Sequence, residues 1–481
     1  MTARNDDAHD ADEKRICFRC VHEEYLSGYI KKSGASKQCD YCSKKARSIS
    51  IEELADEVEA AFGRHFYRTA TEPSAFEYAM YKESDTGWER SGEPVKYAIA
   101  NAAGIPEEAA DDVAGILEGR HWDKHSERAG EETEFDSESF YEERGVDDES
   151  FRQSWQQLER SLREETRLFN SAAKEILDSV FEGLDQHATS AGRGVLVDAG
   201  PKCKISAVYR ARVFQSEEKL EAALKRPDLE LGPPPSAVAV AGRMNSRGIS
   251  IFYGATTSRV AIAETRPPVG SKVLVGRFSI SRPIRLLDIE AFQAISVQGS
   301  IFDSEYARRL EKAKFLGCLS SRITAPVMPD HEPLEYVVTQ AIADYLATMK
   351  TPSIDGLIYS SVQNGGQMRN IALFHKAAKV APLDLPEGTE VEAHLYETDD
   401  EGTHPDYSVW ELTPESESAK ETKDEWDFTP PNYDPAPVDE RDVTLRLVTN
   451  AVRVHHIERA TYKAQDYSVS RRRMKRQKLE F

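Results

Sequence analysis

The sequence lacks any long hydrophobic run, and no apolar segment approaches the ~20 residues that a bilayer-spanning helix needs. Its first residues, MTARNDDAHDADEKR, contain no apolar core of a secretory signal peptide. Basic residues are the minority, with 62 Lys and Arg against 83 Asp and Glu, so the net charge is −21. These features argue against a membrane protein, a membrane-surface protein and a general nucleic-acid coat. We expect a cytoplasmic protein in a reducing setting.

Cysteine is also scarce, but four of the six cysteines fall into two Cys-x-x-Cys pairs. The pairs are Cys17/Cys20 and Cys39/Cys42, and 18 residues separate them. Each pair forms a turn that presents two thiolates, so the spacing predicts one tetrahedral, structural Zn²⁺ site. Four thiolates leave no open coordination position, which argues against catalytic zinc. A redox Cys-x-x-Cys motif or unrelated thiols are the alternatives.

Helical patterns follow the cysteine pairs. Ser50 and Glu53 have the spacing of a capping box, and apolar residues continue at helical intervals from Ile51 to Phe62. We therefore expect residues 51–185 to be mostly helical. Residues 131–150 contain ten acidic residues and one arginine, which predicts a solvated loop or helix face.

The most informative stretch is GRMNSRGISIFYGATTSRVAIAETR, residues 242–266. Two glycines bracket Arg243 and Asn245, so the backbone can approach a ligand closely and a guanidinium can meet an anion. An apolar strand and a short helix follow, and the helix ends at Glu264. An unpaired buried carboxylate at this place would be costly, which points to function. Farther on, Tyr336, Thr339 and Gln340 share one face of a predicted helix at 335–349.

This stretch resembles the RES domain, through Gly-Arg-x-Asn-x-x-Gly, then Tyr-x-Ala, then Ala-x-x-Glu. Upstream, Tyr209-Arg210 in AVYRARVF is similar to the family's Tyr-Arg strand. Downstream, DGLIYSSVQNGGQMRNIALF, residues 355–374, resembles its Gly-hydrophobic-Tyr-x-Ser segment and the following Asn-x-x-hydrophobic-Phe. The resemblance covers roughly residues 205–380. Met244 and Ser246 stand where many family members have an aromatic residue and a proline, which affects the expected shape of the pocket.

RES domains are related in fold to ADP-ribosyltransferase toxins, so the resemblance implies an α+β protein with central mixed sheets and flanking helices. The region before it resembles, more weakly, an N-terminal domain that accompanies RES and HEPN modules. The predicted organisation is a zinc-ribbon-like module at 1–48, a helical domain at 49–200, a RES domain at 201–466 and a basic tail at 467–481. Within the RES domain we expect a core at 205–380, an acidic, proline-rich insertion without regular structure at 385–442, and a final strand at 443–463 that pairs back into the sheet.

The resemblance implies that the protein cleaves the nicotinamide–ribose bond of NAD+, with inorganic phosphate or water as acceptor. Such an enzyme would act as a bacterial toxin or defence effector by depleting NAD+. The implied catalytic residues are Arg210, Tyr253, Glu264 and Ser361, and those implied to bind NAD+ are Arg243, Asn245 and Asn370. Arg210 would hold phosphate oxygens, and Glu264 would stabilise the positive charge that develops on the ribose.

Tyr253 would stack on nicotinamide or orient the substrate. Ser361, whose assignment is ambiguous with Ser360, would hydrogen-bond the ribose or phosphate. The backbone amides of Gly365 and Gly366 would help to cradle an anion.

Two other functions stay open from the sequence. One is a mono-ADP-ribosyltransferase that modifies a macromolecule. The other is an inactive scaffold whose zinc region and basic cluster SRRRMKRQK (470–478) bind nucleic acid, although the net charge of −21 makes broad nucleic-acid binding awkward. An enzyme that drains NAD+ also needs restraint, either by a partner antitoxin or by self-inhibition through the N-terminal region.

Overall fold

The computed structural model describes residues 14–81, 88–145, 148–361, 368–400, 402–414, 439–461 and 464–471. The chain forms two compact units. The first comprises Met1–Val195 and Glu290–Ile323, and the second comprises Leu196–Ile289 and Thr324–Phe481. Gly365, Gly366 and residues 472–478 of the basic cluster lie outside the described residues. Within the described ranges, no helix is long and apolar enough to cross a bilayer.

A three-stranded antiparallel sheet opens the first unit. Its strands are β1 (Arg15–Cys17), β2 (Ala35–Gln38) and β3 (Lys45–Ser50), in the order β1-β3-β2, and helix α1 (Glu24–Ser33) connects β1 to β2. β1 ends at Cys17 and β2 ends immediately before Cys39. The two strands run in the same direction on either side of β3, so the sheet brings the two Cys-x-x-Cys turns to the same end.

Helix α2 (Ile51–His65) begins directly after β3, and it confirms the predicted capping box. The Glu53 backbone N–H donates to Ser50 Oγ over 3.1 Å, and the Ser50 N–H donates to the Glu53 carboxylate over 2.9 Å. Such a cap stabilises a helix by about 1 kcal/mol. The inward face of α2 then joins the core of the unit through Leu54, Val58 and Phe62.

The rest of the first unit is mainly helical, as expected, but it also contains a small sheet that the pattern did not predict. The helices are α3 (Ala75–Tyr81), α4 (Val95–Ala103), α5 (Glu107–His121), α6 (Lys124–Ala129), α7 (Glu149–Arg160), a π-helix (Ser161–Glu165), α8 (Ser171–Phe181), 3-10 turns at Leu184–Gln186 and Glu290–Ala294, and α12 (Ser304–Thr324), which ends at the boundary of the unit.

Strands β4 (Phe66–Arg68), β5 (Glu93–Pro94) and β6 (Phe140–Glu143) pair in the order β4-β6-β5. β6 lies inside the acidic segment 131–150, so the expectation of a solvated loop or helix was wrong there. The aromatic Tyr141 explains the difference, because its side chain is buried in the core.

A mixed nine-stranded sheet forms the centre of the second unit. Its strands are β7 (Leu196–Ala199), β8 (Ala207–Phe214), β9 (Phe252–Ala255), β10 (Lys272–Ile280), β11 (Ile284–Asp288), β12 (Gly356–Ser360), β13 (Arg369–Leu373), β16 (Leu445–Leu447) and β17 (Arg453–His456). The order is β16-β10-β8-β9-β13-β12-β11-β7, and β17 also pairs with β10. β11 and β12 run parallel, whereas the other described pairs are antiparallel. The strand pattern after residue 443 thus returns to the sheet, as predicted, through β16 and β17.

Helices and 3-10 turns complete the second unit. They are α9 (Glu217–Lys225), α10 (Pro227–Glu230), α11 (Ser258–Glu264), α13 (Glu332–Thr348) and 3-10 turns at Ser236–Val238, Pro329–His331, His375–Ala377 and Thr449–Ala451. Apolar residues from several strands form the core, with the rings of Phe252 and Phe278 packed edge to face at 5.1 Å.

The expected absence of regular structure in the acidic insertion was wrong for its first part. Strands β14 (Glu390–Asp399) and β15 (Gly402–Leu412) form an antiparallel hairpin. Val391, Ala393 and Leu395 alternate with polar residues, and Ala393 and Leu395 pack into the core of the unit. This period of two is the ordinary signal of a half-buried strand, and the acidic composition obscured it. Residues 415–438 lie outside the described residues.

Candidate functional site

A cavity of about 520 Å³ opens in the second unit. Strands β8, β9, β12 and β13, helices α11 and α13 and the turn at Gly242 supply its walls. Five of the predicted site residues line it: Arg210, Arg243, Tyr253, Glu264 and Asn370. Two predicted site residues, Asn245 and Ser361, lie behind its walls.

The sheet register explains how distant parts of the sequence meet here. Strand β9 lies between β8 and β13, where Ala255 is opposite both Tyr209 and Asn370. Tyr253 is opposite Ala372 on the same pair of strands. Strands β8, β9 and β13, which carry the three sequence motifs, therefore lie side by side and form the floor of the cavity.

Arg210 is the most unusual side chain of the cavity. Its guanidinium carbon lies 5.0 Å from the centre of the Phe252 ring, and its Nη1 is buried without a hydrogen-bond partner in the described part of the chain. Burial lowers the pKa of Arg210 to about 10, and the neighbouring Arg212 adds to this effect. A buried donor on a cation without a counter-ion is costly, so the site is suited to an anionic ligand.

Asn370 complements Arg210 from the adjacent part of the floor. The residue is only 4% exposed, and its Oδ1 accepts no hydrogen bond from any described group. The cavity therefore presents a buried unused donor, Arg210 Nη1, and a buried unused acceptor, Asn370 Oδ1. Both kinds of group are nearly always paired in proteins, so a ligand with an anion and a hydrogen-bond donor suits the cavity.

Glu264 is the last residue of α11, which begins with Thr257 Oγ1 accepting from the Val260 N–H over 3.4 Å. Ser361 Oγ donates to Glu264 Oε1 over 2.6 Å, although 97 residues separate them. The expectation of a buried, unpaired Glu264 was wrong, because the residue is exposed where α11 ends at the cavity. Ser361 is fully buried and does not line the cavity, whereas Ser360 does.

The glycine turn is held by its own polar groups. Tyr253 Oη donates to Asn245 Oδ1 over 2.8 Å and accepts from the Met244 N–H over 2.9 Å. A Cβ at Gly242 would lie 2.7 Å from Asn245 Oδ1 and 2.8 Å from Tyr253 Oη, so only glycine fits there. Asn245 is 3% exposed, and its amide donates to the carbonyls of Val240, Ser246 and Ile249. The structure thus corrects the expected ligand contact of Asn245, because its side chain is used within the turn.

Helix α13 fixes the same turn from the other side. Thr339 Oγ1 donates to the Arg243 carbonyl over 2.7 Å, and Gln340 Nε2 donates to the Gly242 carbonyl over 2.8 Å. The Arg243 guanidinium lies 5.5 Å from the centre of the Tyr336 ring. The face predicted for this helix therefore contacts the turn.

Sequence reasoning missed several residues that line the cavity, namely Glu332, Tyr336, Tyr359 and Arg266. Tyr359 belongs to the quoted Gly-hydrophobic-Tyr-x-Ser segment, and that signal could have found it. Burial raises the pKa of Tyr359, so its phenol stays neutral. Nothing in the sequence spacing pointed to Arg266 or Glu332.

The four cysteines of the first unit form a second candidate site. The Sγ atoms of Cys17, Cys20, Cys39 and Cys42 all lie within 4.8 Å of one another. Contacts of 3.6 Å between Cys17 and Cys42 and of 3.8 Å between Cys20 and Cys39 match the roughly 3.8 Å expected between thiolates around a tetrahedral Zn²⁺ with ~2.3 Å bonds. The donor set and the spacing therefore fit a closed metal site.

Comparison with protein families finds that residues 207–395 match the RES domain, a domain of NAD-acting enzymes. The matched segment contains every sequence-predicted residue of the cavity. No curated protein sequence and no solved structure matches the chain.

Proposed function

We propose that the second unit binds NAD+ in its cavity and breaks the bond between nicotinamide and ribose. The observation that carries the proposal is the pair of buried, unused polar atoms, Arg210 Nη1 and Asn370 Oδ1, in the same cavity as the Glu264 carboxylate. The match of this region to the RES domain supports NAD+ as the ligand. The cavity of about 520 Å³ has a volume typical of small-molecule sites.

Arg210 supplies the anion contact. A planar guanidinium binds two phosphate oxygens at once, and NAD+ carries a pyrophosphate. Because Arg210 Nη1 is buried without a partner among the described residues, the pyrophosphate gives this donor a charge-assisted hydrogen bond. Asn370 accepts a hydrogen bond from a hydroxyl or amide of the substrate.

Glu264 supports the chemical step. The bond from ribose to nicotinamide breaks with both electrons passing to the ring nitrogen, so nicotinamide leaves as a neutral base. Positive charge then develops on the ribose, and the nearby carboxylate stabilises it. An oxygen of inorganic phosphate or water forms the new bond to the same ribose carbon, and a water acceptor releases its proton to solvent.

Three of the implied residues take roles that their contacts define. The Tyr253 ring contacts the substrate, since the residue lines the cavity while its hydroxyl is occupied within the turn. Ser361 is a positioning residue, since it orients the Glu264 carboxylate from a fully buried site. Asn245 shapes the turn that presents Arg243.

The cysteine cluster of the first unit holds a structural Zn²⁺ in this proposal. Bound metal would crosslink the turns after β1 and β2 and stabilise the small sheet. Elemental analysis of purified protein should give one zinc per chain, and Cys39→Ser should lose it and lower the melting temperature. Wild-type protein without zinc at full stability would contradict the assignment.

The test of the enzymatic proposal is NAD+ consumption by the purified full-length chain, with and without phosphate. Glu264→Gln should lower turnover by at least about 100-fold, because the carboxylate acts on the developing charge. Glu218→Gln, a matched change at an exposed residue of α9, should have no effect. Phosphate dependence, with ADP-ribose-1″-phosphate as product, separates phosphorolysis from hydrolysis.

Two other outcomes of the same assay would contradict the proposal. If the wild type leaves NAD+ intact, the scaffold function is favoured. If the label of NAD+ appears on protein or nucleic acid, the chain is a mono-ADP-ribosyltransferase.

In a cell, this activity makes the protein a bacterial toxin or defence effector that depletes cytoplasmic NAD+. Restraint comes from a partner antitoxin or from the N-terminal region. Deletion of residues 1–200 cannot test this, because it removes β7 from the sheet and separates 290–323 from the rest of the first unit. High turnover by the purified full-length chain would favour an antitoxin, whereas turnover that rises only after limited proteolysis would favour self-inhibition.

A further inference from the structure

A second cavity, of about 510 Å³, lies wholly within the first unit. Its walls come from Phe151 of α7, from Ser179 of α8 and the segment after it, from residues 296–298 and from α12. These residues play no part in NAD+ chemistry, so a ligand of this cavity is independent of the proposed enzyme function.

The inner wall of this cavity is basic. His187 is half-buried, and its Nε2 is buried without a hydrogen-bond partner among the residues that the structure describes. Lys312 is also half-buried, and its Nζ donates to the backbone carbonyl of Glu182 over 2.7 Å. A carbonyl does not neutralise the ammonium charge, and Lys312 forms no ion pair with a carboxylate of the described residues.

The cationic groups also repel one another. Burial lowers the pKa of Lys312, the Glu182 carboxylate opposes this shift, and Arg308, one turn earlier on α12, has a smaller lowering effect. Burial lowers the pKa of His187, and Lys312 adds to that shift. Two cations, Arg308 and Lys312, and the neutral imidazole of His187 therefore line one space, where an anion would relieve the repulsion between the cations.

Acidic residues are present only at the exposed edge. Glu182 and Glu305 line the cavity and, like Arg308, are exposed, and neither carboxylate lies within ion-pair distance of Arg308 or Lys312. Arg309 pairs with Asp303 over 3.1 Å. The uncompensated charge is thus that of Arg308 and Lys312. Neutral hydrogen-bonding groups complete the lining, from Ser296, Gln186 and Gln298.

We propose that this cavity binds a small molecule that carries a di- or polyphosphate group. Arg308 and Lys312 contact the phosphate oxygens, and the tautomer of His187 with its proton on Nε2 donates to the same anion. The volume admits a ligand of nucleotide size, and the neutral groups hydrogen-bond its remaining part.

The experiment is isothermal titration calorimetry with inorganic pyrophosphate, followed by ADP. The protein is the full chain with Arg210→Met, so that the cavity of the second unit no longer offers its guanidinium. We expect saturable binding at one site, which Lys312→Met and Arg308→Met each weaken by about tenfold or more. Lys314→Met changes a lysine of the same helix that does not line this cavity, and it should leave the affinity unchanged.

Thermal unfolding shows whether each variant is folded. His187→Gln provides a second, milder variant, which should weaken binding by a few-fold, and the His187 imidazole resonance should shift when pyrophosphate is added. Equal affinity in Lys312→Met, Arg308→Met and the parent protein would overturn the proposal. So would the absence of saturable pyrophosphate binding, including the case in which an RNA oligonucleotide binds and pyrophosphate does not.

Discussion

Two arginines, one in each unit, each lie over a phenylalanine ring, but only one of them is paired with a carboxylate of the protein. The Arg90 guanidinium lies 5.0 Å from the centre of the Phe140 ring, and the Arg210 guanidinium lies 5.0 Å from the centre of the Phe252 ring. The ring does not distinguish them. What distinguishes them is whether the protein itself supplies the anion.

Arg90 is fully engaged. Its two terminal nitrogens donate to the Glu132 carboxylate over 2.8 and 2.7 Å, in a fork-to-fork pair whose side chains are 14% and 11% exposed. It also donates to Thr69 and to the carbonyl of Glu138. Arg210 has a buried Nη1 with no partner in the described chain and a pKa lowered to about 10 by burial. The first arrangement stabilises a fold, whereas the second leaves a cationic donor unpaired among the described residues and so suits an anionic ligand.

The largest expected effect comes from Arg210→Met. NAD+ turnover should fall by about 1000-fold, or ~4 kcal/mol, because the pyrophosphate contact is lost. The melting temperature should stay constant or rise, because an unpaired buried charge is replaced by an apolar side chain. Arg212→Met is the control, since Arg212 pairs with Glu230 and belongs to the same strand. A large loss of stability in Arg210→Met would show that Arg210 is structural.

Glu132→Gln should lower stability and leave turnover unchanged, which is the reverse of the result expected for Arg210→Met. Removing the carboxylate leaves Arg90 nearly buried without a counter-ion, so the free energy of unfolding should fall by about 3 kcal/mol. NAD+ turnover, measured well below the melting temperature, should be unchanged. Glu131→Gln, at the exposed neighbouring residue, is the matched control for a urea titration. Equal stability of the two variants would contradict the structural role of the pair.

A smaller difference should separate the two adjacent serines. Ser361→Ala removes the hydrogen bond that orients Glu264, so kcat should fall by about tenfold, or ~1.4 kcal/mol, with little change in KM. Ser360→Ala changes a residue that lines the cavity and should mainly raise KM. Steady-state kinetics of both variants would decide, and a reversed pattern would move the positioning role to Ser360.

The smallest effect is the pH dependence of the Arg90–Glu132 pair. Burial would raise the pKa of Glu132, but hydrogen bonds from Arg90 and Arg68 outweigh it and hold the pKa below its usual value. The pair therefore stabilises the fold above the ordinary carboxyl pKa of about 4.3 and loses this contribution as the pH falls through the lower folded pKa. In unfolding titrations from pH 6 to 2, wild type should lose stability faster than Glu132→Gln below about pH 4. If the two stability curves ran parallel, protonation of Glu132 would not change the stability of the fold.

The residues that line the cavity of the second unit were largely identifiable in advance, but their contacts were not. Arg210, Glu264 and Asn370 were expected from motifs and do line one cavity. The bond from Ser361 to Glu264 joins residues 97 positions apart, and no local pattern reports such a contact. The missed hairpin at Glu390–Leu412 is different, because its period-two pattern was present and the acidic composition obscured it.

Local chemistry alone determined several features of this protein. The cysteine spacing, the capping box at Ser50 and the strand and helix periods of the second unit depend on neighbours in sequence, and the structure retains them. Only the tertiary structure decided which charges find partners. Glu132, in a segment that reads as solvated, is enclosed with Arg90, and Arg210 has a buried Nη1 without a partner among the described residues. Pairing between distant segments depends on sheet register and burial, which no stretch of sequence specifies by itself.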